Sequence, residues 1–213
     1  MYIFRRMDMK TNLPKIKLKN IWLHLRKIQT HRKWVRHYCF LAGIPWRGLT
    51  HDLSKYSPTE FWESVRFYVG TSSPINEAKK VQGYSRAWLH HRGRNRHHWA
   101  YWADNFSEGL TVYPMPKKDF IEMVCDFLGA GHAYSEKEFT YKKELEWWKK
   151  AREGDCKAMN EKNKIMLDII FSDLEYAERN PLNIDMETPE QIIVSGYFGL
   201  VWEANNKDVE ENN

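Results

Sequence analysis

The segment His51-Asp52-Leu53-Ser54-Lys55 places two metal-binding side chains next to each other, with a cation three residues later. Neighbouring residues of a helix point about 100° apart, because the helix has ~3.6 residues per turn, yet an imidazole and a carboxylate can still converge on one ion. A lone His-Asp pair is common by chance. The pattern becomes specific here because further candidate ligands accompany it: His31, the pairs His90-His91 and His97-His98, and Asp126.

The types of these side chains indicate which ions they would bind. Imidazole and carboxylate together suit Mn, Fe, Zn, Co or Ni, and the absence of thiolates from the set argues against a purely structural zinc site. Asp126 lies within the apolar run Val124-Cys125-Asp126-Phe127-Leu128. An aspartate is costly to bury there unless it is paired or coordinates an ion. Asp126 is therefore a candidate ligand.

Length and composition favour one folded domain with extensions. The chain has 213 residues, of which 15% are aromatic, so it can bury a substantial core. Three scattered cysteines without Cys-x-x-Cys spacing indicate a reduced, cytoplasmic protein. The longest nearly apolar run, residues 38–46, is too short to span a bilayer, and no apolar signal core follows the N-terminus.

Charge is distributed unevenly along the chain. The net charge is +5, but residues 1–36 contain eleven Lys and Arg against Asp8 alone. Such a basic arm could bind nucleic acid or an anionic surface, whereas a solvated leader is the simpler interpretation because a continuous aromatic and basic stripe is absent. Residues 1–19 are interpreted as a basic flexible arm. The oligomeric state is not indicated.

Apolar periodicity predicts helices throughout and no strands, which makes the chain all-α. The first helix is predicted over residues 20–41, with a break near Thr30, and the second over residues 49–55, with His51 and Asp52 on its inner side. Ser57-Pro58-Thr59-Glu60 is typical of a helix start in which Glu60 closes a capping box.

The later elements follow the same pattern. Residues 76–102 are predicted to be partly helical with an interruption near Gly93, and a helix after Pro116 is predicted to stop at Gly129 and Gly131. Charged helices follow to residue 179, and a capping box at Thr188 opens a last helix to about residue 204. Three regions result: the arm at 1–19, a metal-binding core at 20–135 and a helical C-terminal extension at 136–213 that packs on the core.

The order of the candidate ligands resembles the HD-domain superfamily of metal-dependent phosphohydrolases. The matching positions are His31 with Val35, the pair His51-Asp52 with Lys55, and Asp126 with Leu128. The segments Trp88-x-His90-His91 and Asn95-x-His97-His98-Trp99 resemble, more narrowly, an uncharacterised family of bacterial and viral proteins that carries only a domain-of-unknown-function label. The resemblance covers residues 24–135 and implies a compact HD-domain-like helical bundle.

The resemblance also implies a ligand set. His31, His51, Asp52 and Asp126 would bind the first ion, with His37 as an alternative to His31. If the segment around Gly93 stayed helical, His91 and His98 would face inward as ligands of a second ion. One divalent transition-metal ion is preferred over two, because the histidine pairs are only seven positions apart and related two-metal proteins space theirs more widely.

The activity implied is metal-assisted hydrolysis of a nucleotide or related phosphate ester. Lys55, His90 and His97 are the predicted catalytic residues, and Arg92, Arg94 and Asn95 are predicted to bind the substrate. His24, His37 and His132 are expected to be surface or packing residues. Two rival hypotheses are a non-haem di-iron oxygenase on the same scaffold, and a non-catalytic protein with a structural metal that binds nucleic acid or another partner.

Overall fold

A computed structural model describes residues 13–106, 109–135, 138–180 and 188–206. Over these residues the chain is all-α apart from one hairpin, which confirms the predicted fold class. The helices are α1 (Leu18–Leu41), α2 (Pro45–Thr50), α3 (Pro58–Arg66), α4 (Pro74–Gln82), α5 (Arg86–Arg92), α6 (Lys117–Ser135), α7 (Tyr141–Glu153), α8 (Glu161–Arg179), α9 (Pro189–Val194) and α10 (Tyr197–Asn205). Two 3₁₀ turns, Leu53–Tyr56 and Trp99–Trp102, and strands β1 (Ala103–Phe106) and β2 (Gly109–Val112) complete the structure.

Helices α1 and α6 form the central pair of the fold, and both carry candidate ligands. Helix α1 runs unbroken through Thr30, so the predicted break is wrong. Helix α6 likewise continues through Gly129 and Gly131 to Ser135, so the predicted stop is also wrong. A Cβ at Gly129 would lie 2.4 Å from Val35 Cγ2 and 2.9 Å from Val35 N. The glycine therefore serves a close helix crossing and does not end a helix.

The close crossing of α1 and α6 leads to a prediction about the stability of the fold. In Gly129→Ala the added methyl group must push α1 away from α6, so the free energy of unfolding is expected to fall by about 1–3 kcal/mol. Urea unfolding followed by circular dichroism measures the change. Gly93→Ala is the matched control, because the nearest atom to a Cβ there is 3.4 Å away, which is ordinary contact. Equal stability of Gly129→Ala and the wild type would contradict the packing argument.

Helix caps account for several of the element boundaries. Ser57 and Thr188 cap α3 and α9 as predicted, and at Thr188 the full capping box forms with Gln191. At Ser57 the box is not closed: the hydroxyl accepts from the Glu60 N–H, but the buried Glu60 carboxylate turns towards two histidines. The predicted last helix is also interrupted, because Gly196 adopts a φ of 80° between α9 and α10.

The hairpin of β1 and β2 was missed by the sequence interpretation. The two four-residue strands pair antiparallel, with Ala103 opposite Val112. The residues of β1 do not alternate between apolar and polar, and β2 is only four residues long and largely exposed, so the usual signal of a half-buried strand is weak. The hairpin follows directly after the 3₁₀ turn Trp99–Trp102, and Tyr113 N–H donates to the Trp102 carbonyl.

One hydrophobic core includes residues from both sides of the predicted division at residue 135. Val35, Phe120, Trp148, Phe171 and Trp202 are all buried within it. The Trp202 indole N–H donates to the Met115 carbonyl across 2.8 Å, which joins α10 to the segment before α6. The division into three regions stays a prediction, and residues 1–12 of the predicted arm lie outside the described residues.

None of the described helices combines the length and apolar character needed to cross a bilayer. The three cysteines, Cys39, Cys125 and Cys156, are all free and buried.

Candidate metal centre

His51 and Asp52 lie in a turn between α2 and the following 3₁₀ turn, and the predicted helix over residues 49–55 is wrong. Helix α2 ends at Thr50, and Asp52 adopts the left-handed conformation with φ 55° and ψ 26°. Among the described residues it is the one non-glycine residue with a positive φ. Such strained positions cluster at functional sites. The sharp turn brings two adjacent side chains together, whereas a helix would splay them.

Four side chains from three elements form what we call the first donor group: His31, His51, Asp52 and Asp126. All four are buried. His31 Nε2 lies 3.3 Å from Asp52 Oδ2 and 3.1 Å from Asp126 Oδ1. His51 Nε2 lies 3.3 Å from the same oxygen of Asp52 and 3.2 Å from that of Asp126. The two imidazole nitrogens are 3.3 Å apart. The structure thus brings all four predicted first-site ligands together.

A second donor group lies on the other side of Asp52 and consists of Asp52, His91, His97 and His98. His91 Nε2 and His97 Nε2 lie 3.3 Å and 3.4 Å from Asp52 Oδ1. Helix α5 ends at Arg92, so the assumption of a continuous helix through Gly93 is wrong. Because the chain turns there, His97 joins His91 and His98, although a helix would have placed it beside the inward face.

Both donor groups fit a metal ion, by two tests. In a tetrahedral site with bonds of 2.0–2.1 Å, neighbouring donors lie about 3.3–3.4 Å apart, which is close to the spacings of the first group. Moreover Asp52 Oδ1, His97 Nε2 and His98 Nε2 are buried without a hydrogen-bond partner among the described residues. Buried polar atoms are rarely left unpaired, and such orphans are consistent with an ion between them.

The charges of the site are strongly coupled. Burial opposes ionisation of Asp52, yet the neighbouring charges of His51 and Lys55 hold its pKa well below the usual value. Burial similarly opposes ionisation of Asp126, but hydrogen bonds from His31 and His51 keep its pKa well below the ordinary range. For His98, burial and the neighbouring His97 lower the pKa well below 6.5, so that this imidazole is neutral and able to coordinate.

Two further carboxylates hold the outer nitrogens of the histidines. Glu122 Oε1 accepts from His51 Nδ1 at 3.0 Å and from His97 Nδ1 at 3.2 Å. Glu60 Oε2 accepts from His91 Nδ1 at 2.7 Å, and its Oε1 from His90 Nδ1 at 2.6 Å. Burial opposes ionisation of Glu122, but its hydrogen bonds with His51 and His97 hold its pKa at about 2. The carboxylates leave the Nε2 atoms of His51, His91 and His97 directed at Asp52.

The two donor groups and the outer carboxylates lie within a segment that matches a known protein family. A model of the family of unknown function DUF5662 matches residues 20–172, which is more than half of the chain. The chain belongs to DUF5662. No curated protein and no solved structure matches it. The DUF5662 segment contains α1 from its third residue, all of α2 to α7, both donor groups and the two outer carboxylates. Membership agrees with the expected uncharacterised family.

The predicted catalytic and substrate-binding residues of the DUF5662 segment have different surroundings. Lys55 Nζ lies 2.5 Å from Asp52 Oδ2, and its side chain is 27% exposed. His90 belongs to neither donor group and is bound to Glu60, whereas His97 belongs to the second donor group. Asn95 Nδ2 donates to Ser54 Oγ and to the His91 carbonyl, both at 2.8 Å, so this amide is engaged within the protein.

The arginines near the second donor group differ in their exposure and in their contacts. Arg94 is exposed and Arg92 is half-buried. Arg96 pairs with Asp119 at 3.2 Å and stacks on Trp102, which occupies its guanidinium in the protein. The predicted contacts of Arg92 and Arg94 with a substrate stay predictions.

The other histidines of the DUF5662 segment lie apart from the donor groups. His37 is exposed against Trp34, so His31 and not His37 reaches the first donor group. His24 is buried against Phe61 and Tyr68. His132 stacks between Trp34 and Phe139, and burial lowers its pKa to about 4.

Sequence reasoning missed Glu60 and Glu122, although one of them left a signal. Asp119, Glu122 and Asp126 follow each other at three- and four-residue steps in an otherwise apolar stretch, which places three carboxylates on one face of α6. Glu122, like Asp126, is costly to bury in this stretch unless it is paired or coordinates an ion. Glu60 was assigned to a capping box, and only the tertiary structure shows that it holds histidines of α5.

Proposed function

We propose that this protein is a metal-dependent phosphohydrolase that resembles the HD-domain superfamily and acts on a nucleotide or related phosphate ester. One observation carries the proposal: the buried carboxylate of Asp52 lies between two groups of imidazoles, with the ammonium of Lys55 beside it. Such a cluster suits borderline divalent ions. The link to phosphate rests on the resemblance of the ligand order and on the nearby cation.

We further propose that the site holds two ions, where the sequence favoured one. The preference for one ion rested on the short spacing between the histidine pairs. The turn after Arg92 removes that objection, because it brings His97 and His98 together with His91 and Asp52, and His91 and His97 face one oxygen of Asp52. The other oxygen faces His31 and His51. Asp52 would then contribute a ligand to each group, and His97 would be a ligand instead of a general acid.

Divalent ions in these groups would supply hydroxide near neutral pH and would offset the charge that develops on phosphoryl oxygens. Residues of the chain would bind the phosphate group and protonate the leaving oxygen. Lys55 is held against Asp52, with part of its side chain exposed, where its ammonium can bind a phosphate oxygen. His90 is 20% exposed and outside both donor groups, which makes it the remaining candidate to protonate the leaving oxygen.

Hydrolysis of a substrate panel tests this proposal. Metal-depleted protein is reconstituted separately with Mn, Fe, Zn, Co and Ni, then assayed with p-nitrophenyl phosphate, its bis ester and nucleoside mono-, di- and triphosphates. We expect phosphate or nitrophenol release with at least one ion and a loss of at least about 100-fold in kcat for His91→Ala. Failure of every loaded form to hydrolyse any of these esters would contradict the proposal.

A second and separate prediction concerns Lys55→Met. Because the ammonium can bind the phosphate group, removing it is expected to lower kcat/KM by about 100–1000-fold, as for other donors to developing charge. Metal content should stay at the wild-type level, since a lysine ammonium cannot coordinate an ion. Elemental analysis and steady-state kinetics on the same preparation measure both quantities. Unchanged kcat/KM would show that Lys55 only neutralises Asp52.

The same donor set supports one rival activity. Imidazoles around a shared carboxylate also suit iron, so a di-iron oxygenase is the second candidate. Preferential retention of iron, near-ultraviolet absorption of an oxygen-bridged centre and oxygen consumption without phosphate release would favour it. Retention of metal with neither activity would favour the binding-protein hypothesis, which predicts salt-sensitive binding of nucleic acid that survives Asp52→Ala.

A further inference from the structure

Among the described residues, Glu122 is the one carboxylate outside both donor groups that contacts a histidine of each. A single oxygen, Oε1, lies 3.0 Å from Nδ1 of His51 and 3.2 Å from Nδ1 of His97. The two imidazole rings are only 4.3 Å apart between centroids. His51 belongs to the first donor group and His97 to the second.

We propose that Glu122 is a positioning residue that sets the ligand geometry of both donor groups at once. The inference rests on the proposed metal sites but not on the reaction they catalyse. An imidazole that donates from Nδ1 presents Nε2 as the acceptor, and this fixes both the tautomer and the ring orientation. Through Glu122 the Nε2 atoms of His51 and His97 are directed towards the two oxygens of Asp52.

The orientation of Glu122 is itself fixed from the opposite side. Arg47 Nη1 donates to Glu122 Oε2 at 2.9 Å and to Asp119 Oδ1 at 2.6 Å. Asp119 Oδ2 in turn accepts from Arg96. Glu122 is 6% exposed, so water cannot readily replace these contacts. The carboxylate is thus held with one oxygen for Arg47 and the other for the two imidazoles, and it cannot rotate without breaking both sets of hydrogen bonds.

Glu60 provides a matched comparison within the same molecule. It is equally buried, at 3% exposed, and also bonds two imidazoles, but these belong to His90 and His91. Of these two histidines, His91 belongs to the second donor group and His90 belongs to neither. Glu60 should therefore affect the second group alone, whereas Glu122 should affect both.

Glutamine substitutions separate the two roles. A glutamine has one acceptor oxygen where the carboxylate has two. In Glu122→Gln the oxygen can serve either Arg47 or the imidazoles, and the amide N–H groups oppose the remaining donors. Loss of an outer hydrogen-bond partner typically weakens metal binding by about 10–100-fold. Glu122→Gln is therefore expected to raise both stepwise dissociation constants by this factor, and Glu60→Gln only one of them.

Chelator competition with Co²⁺ measures the two dissociation constants for the full-length wild type, Glu122→Gln, Glu60→Gln and the exposed control Glu146→Gln, each checked for folding by circular dichroism. Proton NMR of the cobalt-loaded protein adds a readout that a general loss of stability would not change. Imidazole N–H protons of bound histidines resonate far outside the normal range, and two of these signals should exchange faster with solvent in Glu122→Gln.

Three outcomes would overturn the inference. Loss of affinity at one step only in Glu122→Gln would show that Glu122 serves a single group. If Glu122→Gln had the dissociation constants and the imidazole N–H exchange rates of the wild type, the contacts of Glu122 would be incidental. A third bound ion that disappears in Glu122→Gln would make Glu122, His51 and His97 a metal site of their own. Metal binding as expected without ester hydrolysis would refute the proposed function and leave the positioning role intact.

Discussion

Asp52→Asn is expected to abolish tight binding of both ions. The substitution removes the charge of the carboxylate that belongs to both donor groups, with one oxygen facing His31 and His51 and the other facing His91 and His97. Because outer partners alone change metal affinity by about 10–100-fold, loss of a shared ligand should exceed about 100-fold at each site and should remove ester hydrolysis with it. Elemental analysis after reconstitution measures the ion count.

Asp126→Asn is the informative companion variant. Asp126 is a member of the first donor group only, so this variant is expected to keep the ion of the second. The exposed Asp155→Asn serves as the control. Neutralising Asp52 also leaves Lys55 without its partner and can cost about 3–5 kcal/mol, so all ion counts are compared in preparations that circular dichroism shows to be folded. Full metal content in folded Asp52→Asn would contradict the shared-ligand geometry.

Glu144→Gln is expected to give the largest change in stability, and the change should depend on pH. Glu144 lies in α7, is 4% exposed, and has its pKa raised from 4.5 to about 8 by burial. Below pH 4.5 the carboxyl is neutral in both the folded and the unfolded state, so it adds no pH dependence to the free energy of unfolding. Between pH 4.5 and 8 the unfolded chain ionises while the folded chain keeps its proton, so the free energy of unfolding falls as the pH rises.

A glutamine carries no such penalty. Each pKa unit corresponds to about 1.4 kcal/mol, so Glu144→Gln should be more stable than the wild type by as much as about 5 kcal/mol at pH 9 and nearly equal to it at pH 4. Urea unfolding of both proteins across this range measures the difference, with the exposed Glu146→Gln as the control on the same helix. Parallel pH profiles for wild type and Glu144→Gln would show that Glu144 is already ionised in the fold.

The helical nature of the chain and several of its boundaries could be predicted from sequence because they depend on local chemistry. Apolar periodicity identified α1 and α6, and the caps at Ser57 and Thr188 form through contacts between residues three apart. Local reasoning failed where a distant segment decided the outcome. Gly129 does not end α6, because Val35 of α1 occupies the space that a side chain would need.

For the site, the sequence by itself determined which kinds of donor are present: the order of His31, His51, Asp52 and Asp126 was enough to predict a cluster. Only the tertiary structure decided how they are arranged. The left-handed turn at Asp52 and the turn after Arg92 place His97 and His98 on the second side of Asp52. The tertiary structure also brought Glu60 to His91 and Glu122 to His51, across 31 and 71 residues of chain. Sequence spacing carries no information about such contacts, because packing between helices brings these residues together.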